Sequence, residues 1–192
     1  MFFIIGFGMR ADIWRPQLEY FGSIFNVAWM ENRGFGESES GSEKCPSIKT
    51  FAHDSMRVLD ALEWHSEVHL VGVSMGGMIA QELALMAPER FKSLSLIAST
   101  PGGNLFEKIP PAPGIARFFA SLLLPNRYGA KYLAEILYTR KFLQSTNRGA
   151  IRERLKLQMS RKKSSLATAR QLLAVIRFDA VKRIKNLYWC FI

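Results

Sequence analysis

Gly72-Val73-Ser74-Met75-Gly76, followed by Gly77, is the segment of this sequence whose residue types and spacing could do chemistry. A serine hydroxyl can attack a carbonyl carbon and form a covalent acyl intermediate, provided a base takes its proton. Glycines on both flanks suit a tight turn in which no neighbouring side chain crowds the serine. The apolar run His69-Leu70-Val71-Gly72-Val73 precedes Ser74, and Met75 to Met86 follows with helical spacing. The segment therefore reads as a serine at a strand-to-helix turn, with the positive end of the helix aimed at it. Its plainer alternative is a glycine-rich turn with an incidental serine. The strand before it and the helix after it favour the chemical reading.

A nucleophilic serine needs a base, and the base needs an orienting acid. The sequence holds three histidines, His53, His65 and His69, and all precede Ser74. His53 falls in the expected helix before the strand. His65 and His69 fall before or at the start of the strand, His69 roughly 16 Å from the serine in extended geometry. The acids beyond residue 100 are Glu107, Glu135, Glu153 and Asp179. Cys45 and Cys190 lie in no metal-ligand spacing, so neither a metal nor a cofactor is expected, and a reduced compartment is the default.

The elements that must position Ser74 follow from the apolar pattern. Phe2-Phe3-Ile4-Ile5 predicts a buried strand closed by Gly6-Phe7-Gly8. A helix is expected after it, with Asp12 as N-cap, Pro16 in the first turn and Gly22 as C-cap. Ile24 to Trp29 predicts a second strand, Thr50 to Trp64 a helix, and Leu94 to Ala98 a fourth strand. Strands alternating with helices imply right-handed crossovers and a parallel sheet. Beyond Pro101-Gly102-Gly103 the pattern becomes helical, over 115–124, 130–143, 149–160 and 165–178, and Leu187 to Ile192 opens a further strand.

At 192 residues the chain is one domain by length, with 48% hydrophobic and 22% charged residues, which suits a globular fold. No apolar run reaches the roughly 18 residues of a membrane-spanning helix. Phe2 to Phe7 lacks the basic flank of a signal peptide, so a cytoplasmic location is the default. The net charge of +10 is uneven. Residues 1–100 hold eight basic against twelve acidic side chains, and residues 101–192 hold eighteen against four.

Three segments resemble the α/β-hydrolase superfamily, in the family's order. Ile5-Gly6-Phe7-Gly8 resembles its His-Gly loop, with Ile5 where histidine is usual. Asn32-Arg33-Gly34-Phe35-Gly36-Glu37-Ser38 resembles its D-x-R-G-x-G-x-S loop, and Gly72 to Gly77 its nucleophile elbow. The resemblance implies a parallel sheet of four to five strands flanked by helices, in spatial order 2-1-3-4 with the C-terminal stub as a fifth. It divides the chain into a hydrolase core over 1–102, a helical cap over 103–185 and the start of a further core strand over 186–192. It also implies Ser74 as nucleophile, with Gly72, Gly76 and Gly77 shaping the elbow and the backbone N–H groups of Phe7 and Met75 forming the oxyanion hole. The family's acid and histidine follow its seventh and eighth strands, and its first two strands precede the segment at Phe2. By that measure the chain is expected to be incomplete at both ends.

The resemblance thus leads to a serine hydrolase of carboxylic esters or lipid-like acyl groups, weak or inactive alone, whose partner is a small acyl substrate. Phe118, Phe119 and Leu122 in the cap are candidate contacts for an apolar acyl chain. Amidases, thioesterases and acyltransferases stay open within the class. The second reading is a non-catalytic ligand-binding or interaction protein that keeps the fold. For the basic half, an anionic membrane surface is a further candidate partner, through Arg161-Lys162-Lys163 and Lys182, Arg183 and Lys185, against the commoner reading of solvated helix faces. Nucleic acid is not expected, because no binding motif accompanies the charge.

Overall fold

The computed structural model describes residues 1–103, 114, 117, 121, 126–145, 149, 151, 155 and 165–187. Strand β1 (Phe2–Ile4) is the hinge of the arrangement, since all three of its side chains are buried. It pairs in parallel with β2 (Ala28–Met30) on one side and β3 (Val68–Val73) on the other, and β4 (Phe91–Ile97) completes the order β2-β1-β3-β4. That is the order expected from the sequence.

Alternation along β1 sends its side chains into two separate cores. Phe2 and Ile4 pack with Leu70 against Phe51 and Leu59 of helix α2 (Ile48–Ala61) and Ile79 and Leu83 of helix α3 (Met75–Met86). Phe3 and Ile5 face the other way, onto Ala11, Trp14 and Val71. There the Phe3 and Trp14 rings lie 5.2 Å apart. Helix α2 starts at a reciprocal capping box between Ser47 and Thr50, two residues before the expected start.

Two elements differ from expectation. A 3-10 turn over Ala11–Trp14 precedes helix α1 (Arg15–Phe21), and Asp12 does not cap it. Its carboxylate instead accepts from Arg10 at 3.0 Å. The second strand shrinks from Ile24–Trp29 to Ala28–Met30, because the backbone N–H groups of Ile24 and Phe25 bond back to Phe21 and continue the turn. Ile24 and Phe25 are exposed, as are Trp29 on one edge strand and Ile97 on the other.

The chain forms two compact units, Met1–Lys108 with Lys163–Ile192, and Ile109–Lys162. The first unit thus contains the helix Ser165–Arg177 (α6), together with a 3-10 turn over Ile184–Asn186. Ala174, Phe178, Ala180 and Leu187 join the core of β1, α2 and α3. The two units divide near residues 108 and 163. The second unit holds helices α4 (Asn126–Leu137) and α5 (Arg140–Ser145), with Ala130, Ile151 and Leu155 buried together. Of the expected helix over 115–124, Arg117 and Ser121 are helical; Phe118, Phe119 and Leu122 lie outside the described residues. So do Arg161-Lys162-Lys163 and residues 188–192 of the expected last strand.

Candidate active site

Ser74 is the single residue between the end of β3 and the start of α3, and its backbone sits at φ 53°, ψ −120°. A non-glycine residue in that region is strained by roughly 1–3 kcal/mol and persists only where its surroundings over-determine it. They do so here. The Ser74 N–H donates to Ile97 O at 2.9 Å, and its carbonyl accepts from Gly77 N at 2.9 Å and from the Ser99 hydroxyl at 2.9 Å. The turn leaves Ser74 exposed while Met75, Gly76 and Gly77 are buried behind it.

Space explains the glycines. A Cβ on Gly72 would lie 2.7 Å from both Gly76 C and Gly77 Cα, and one on Gly77 would lie 2.5 Å from the Ser99 side chain. A Cβ on Gly76 would meet Ile4 C and Ile5 O at 2.7 Å, with Ile4 O nearer still. The first turn of α3 is therefore pressed directly onto the exit of β1. Gln81, fully buried one turn along, donates to Gly77 O and Thr100 O at 3.1 Å each, tying α3 to the exit of β4.

The loop after β1 abuts the serine: a Cβ on Gly6 would stand 3.3 Å from Ser74 Cβ. Phe7 follows, half-buried, and Gly8 turns at φ 65°. Both ends of this loop are held by buried amides. Asn32 Nδ2 donates to Ile5 O at 3.0 Å, and Gly8 N donates to Gln171 Oε1 of α6 at 2.9 Å. Met75, as the first residue of α3, presents an amide that has no acceptor within its own helix, at the helix's positive end. The Gly6–Gly8 loop and the start of α3 thus both adjoin Ser74. Gln171, Ser99 and Gln81 were not singled out from sequence; their only sequence signal is a polar residue where a run of apolar ones would pack.

The histidines are elsewhere. His53 is exposed on α2, and His65 is exposed in the turn before β3. His69 shares a 2.8 Å hydrogen bond with Ser93 and meets the Phe25 ring edge-on. It lies near the start of β3, at the opposite end of the strand from Ser74. A cleft of about 570 Å³ opens at that far end, lined by Phe25, Glu67, His69 and Lys92 among others. Ser66, His65 and His69 line it together, at the end of the sheet opposite Ser74. Among the described residues, no histidine or carboxylate bonds the Ser74 hydroxyl, and no cluster of three His, Cys, Asp or Glu could hold a metal ion.

Charged groups near the scaffold are committed to structure. Arg33 of the loop after β2 forks onto Asp54 of α2 at 2.6 and 2.7 Å, and that bond pushes its pKa further up. Glu82, 2% exposed on α3, accepts from both terminal nitrogens of Arg183, which is raised likewise. Arg183 is therefore occupied, while Lys182 and Lys185 are exposed. Burial raises the Glu31 carboxyl above its usual range, although Ala11 N donates to it at 3.0 Å and Arg10 lies 3.6 Å away. No helix among the described residues is long and apolar enough to cross a membrane.

Comparison with known proteins agrees with this geometry. A family profile described as the alpha/beta hydrolase fold matches residues 1–168. The chain is 41% identical over 93 residues to a protein of Azorhizobium caulinodans named as carbamate hydrolase RutD, covering 48% of this chain and 34% of that protein. It is 32% identical over 124 residues to the pimeloyl-[acyl-carrier protein] methyl ester esterase of Pseudoalteromonas atlantica, covering 63% and 45%. The matched stretch thus spans less than half the length of either relative. A crystal structure of a hydrolase from Pseudomonas aeruginosa superposes with TM-score 0.72 at 23% identity, over 95% of this chain and 65% of that one. The chain belongs to the alpha/beta hydrolase fold family.

Proposed function

We propose that this chain carries the nucleophile and oxyanion-binding part of a serine hydrolase site that acts on a carboxylic ester or lipid-like acyl substrate. The observation that carries the reading is Ser74, exposed and strained at φ 53° on the N-terminus of α3 with the Gly6–Gly8 loop against it. In the reaction a base takes the Ser74 proton as the Ser74 oxygen bonds to the substrate carbonyl carbon, and the carbonyl oxygen gains the electron pair of its π bond. The amides of Phe7 and Met75 would stabilise that oxyanion, a contribution worth roughly a hundredfold in rate per donor. Collapse of the intermediate expels the alcohol, which takes up a proton, and water then releases the acid.

Phe118, Phe119 and Leu122 remain the candidate contacts for an apolar acyl chain. The names of the two relatives, an esterase and a carbamate hydrolase, both describe attack on an acyl carbon bearing a heteroatom. Among the described residues no histidine or carboxylate bonds the Ser74 hydroxyl, so this reading names no base or acid within them. The second reading, a ligand-binding protein without turnover, is favoured because no histidine among the described residues hydrogen-bonds Ser74. A membrane role for the basic half is weaker, since Arg183 is already paired.

The test is labelling of the purified chain with a fluorophosphonate probe beside a Ser74→Ala control, together with hydrolysis of p-nitrophenyl esters. Slow labelling that vanishes in the control, with weak turnover, is the expected result. Rapid stoichiometric labelling would mean that one of the three histidines serves as the base. A chain that binds acyl ligands yet never labels would establish the binding reading.

A further inference from the structure

Gln171 is buried to 1% exposure, yet it is a poor core residue. Its Oε1 accepts from Gly8 N, while its Nε2 is buried with no partner among the described residues. A leucine would fill similar volume with no unmet donor, so packing alone does not account for a glutamine there. Ala167 lies one turn earlier on the same face of α6 and packs at Gly34, where an added Cβ would stand 3.7 Å from Ala167 Cα. One face of α6 therefore touches the loops that leave β1 and β2, at the same end of the parallel sheet as Ser74. Asn32 mirrors the arrangement: it is fully buried, its Nδ2 holds Ile5 O, and its Oδ1 has no partner among the described residues.

We propose that Gln171 is a positioning residue: from a helix more than 160 residues away in sequence, it fixes Gly8 and so sets the Phe7 amide against Ser74. Asn32 anchors the front of this four-residue loop at Ile5, and Gln171 anchors its back. The loop turns at Gly8 with φ 65°, a conformation that a free glycine leaves easily. Without the Gln171 acceptor the Gly8 N–H loses its partner, leaving Asn32 on Ile5 and the 3.4 Å bond from Met9 N to Gly6 O, and the Phe7 N–H is expected to shift. The consequence for Phe7 rests on the hydrolase reading of Ser74; the hold on Gly8 does not.

The experiment uses the full chain, labelled with ¹⁵N, as wild type and as Gln171→Met, Gln171→Asn and Gln171→Glu. Methionine keeps the volume and removes the oxygen acceptor, asparagine shortens the reach by one methylene, and glutamate keeps an acceptor for Gly8. Amide exchange of Gly8 is followed by NMR. Affinity for phenylboronic acid, which forms a tetrahedral adduct with a serine hydroxyl, is measured well below each unfolding midpoint. Gly8 exchange should rise about fivefold or more in the Met and Asn variants, the scale of one lost hydrogen bond. Boronate affinity should fall about tenfold in both, less than the loss of a whole oxyanion donor, and glutamate should restore both quantities. Unchanged Gly8 exchange in whichever of the Met and Asn variants folds overturns the proposal. So does faster exchange with unchanged boronate affinity, since the contact would then be structural only. If wild type binds no boronate, or binds it equally as Ser74→Ala, the reading of Ser74 fails, and Gly8 exchange still decides whether Gln171 holds the loop.

Discussion

Gly76→Ala is the sharpest probe of how tightly α3 is pressed onto β1. Gly76 has no positive φ, so its backbone tolerates a side chain, and alanine would gain about 1 kcal/mol of helix propensity. Space decides the outcome. The new Cβ would stand 2.7 Å from Ile4 C and Ile5 O, where ordinary contact begins at 3.4 Å, so the elements must part by at least about 0.7 Å. The atoms it meets are backbone of a buried strand paired on both sides, and they cannot rotate away. Overpacking of one methyl costs about 1–3 kcal/mol with yielding neighbours, and rigid ones place this case at or above the top of that range. Net of propensity, a destabilisation of about 2–3 kcal/mol is expected. For a chain of this size that lowers the midpoint by about 4–12 °C, read by circular dichroism at 222 nm. A shift approaching an ångström between α3 and the Gly6–Gly8 loop would also cut labelling at Ser74 by up to about a hundredfold. Gly8→Ala is the control: its Cβ meets nothing within 4 Å, but φ 65° should still cost about 1 kcal/mol. A neutral or stabilising Gly76→Ala would refute the close approach that shapes the turn.

Two further outcomes follow from the same geometry. Ser74→Gly should raise stability by about 1 kcal/mol in urea unfolding, because the strain of φ 53° is relieved by more than the roughly 0.5–1 kcal/mol of glycine entropy it adds; a less stable variant would mean that the serine is not strained. Glu31 has its folded pKa raised by burial, so the native state holds that proton more tightly than the unfolded chain, and its effect on stability falls as pH rises from about 4.5 through the folded value. Glu31→Gln, which keeps an acceptor for Ala11 N, should flatten that part of the urea-unfolding profile, and an unchanged slope would refute the assignment.

What could be read from the sequence was local and periodic. The bounds Met75 and Met86 of α3 follow from one unbroken helical pattern, and the strand order follows from motifs in family sequence. The length of β2 was misread because Ile24 and Phe25 have strand-forming side chains, while their amides are taken by Phe21. The start of α1 was misread because Asp12 has a stronger partner in Arg10 than an N-cap offers. Gln171 and Ser99 were invisible for a different reason. A polar residue in a helix normally faces water, and only the tertiary fold brings position 171 to position 8, or the Ser99 hydroxyl to Ser74 O.

The energetic arrangement of the turn bears on which reading of the chain is better. Glycine at position 74 would give the same backbone with less strain, so the serine is held there for its hydroxyl, which a ligand pocket would use as a hydrogen-bonding group and a hydrolase as a nucleophile. Every neighbour works to hold the strained serine in place: Ser99 on its carbonyl, Ile97 on its amide, and Gly72, Gly76 and Gly77 emptied of side chains so that α3 can start where it does. These contacts fix where the oxygen and the surrounding amides stand, and none of them acts on the acidity of the hydroxyl. In the proposed reading such a scaffold would set the path of attack and the place where negative charge collects, which are the parts of acyl transfer that backbone geometry can supply. Proton removal needs a side chain of suitable pKa within about 3 Å, and His53, His65 and His69 stand outside that reach. A histidine brought to the Ser74 hydroxyl should therefore accelerate labelling without any change in the turn. Added imidazole, which is small enough to reach an exposed serine, should do the same in proportion to its neutral form, and a rate indifferent to imidazole would count against Ser74 as the nucleophile.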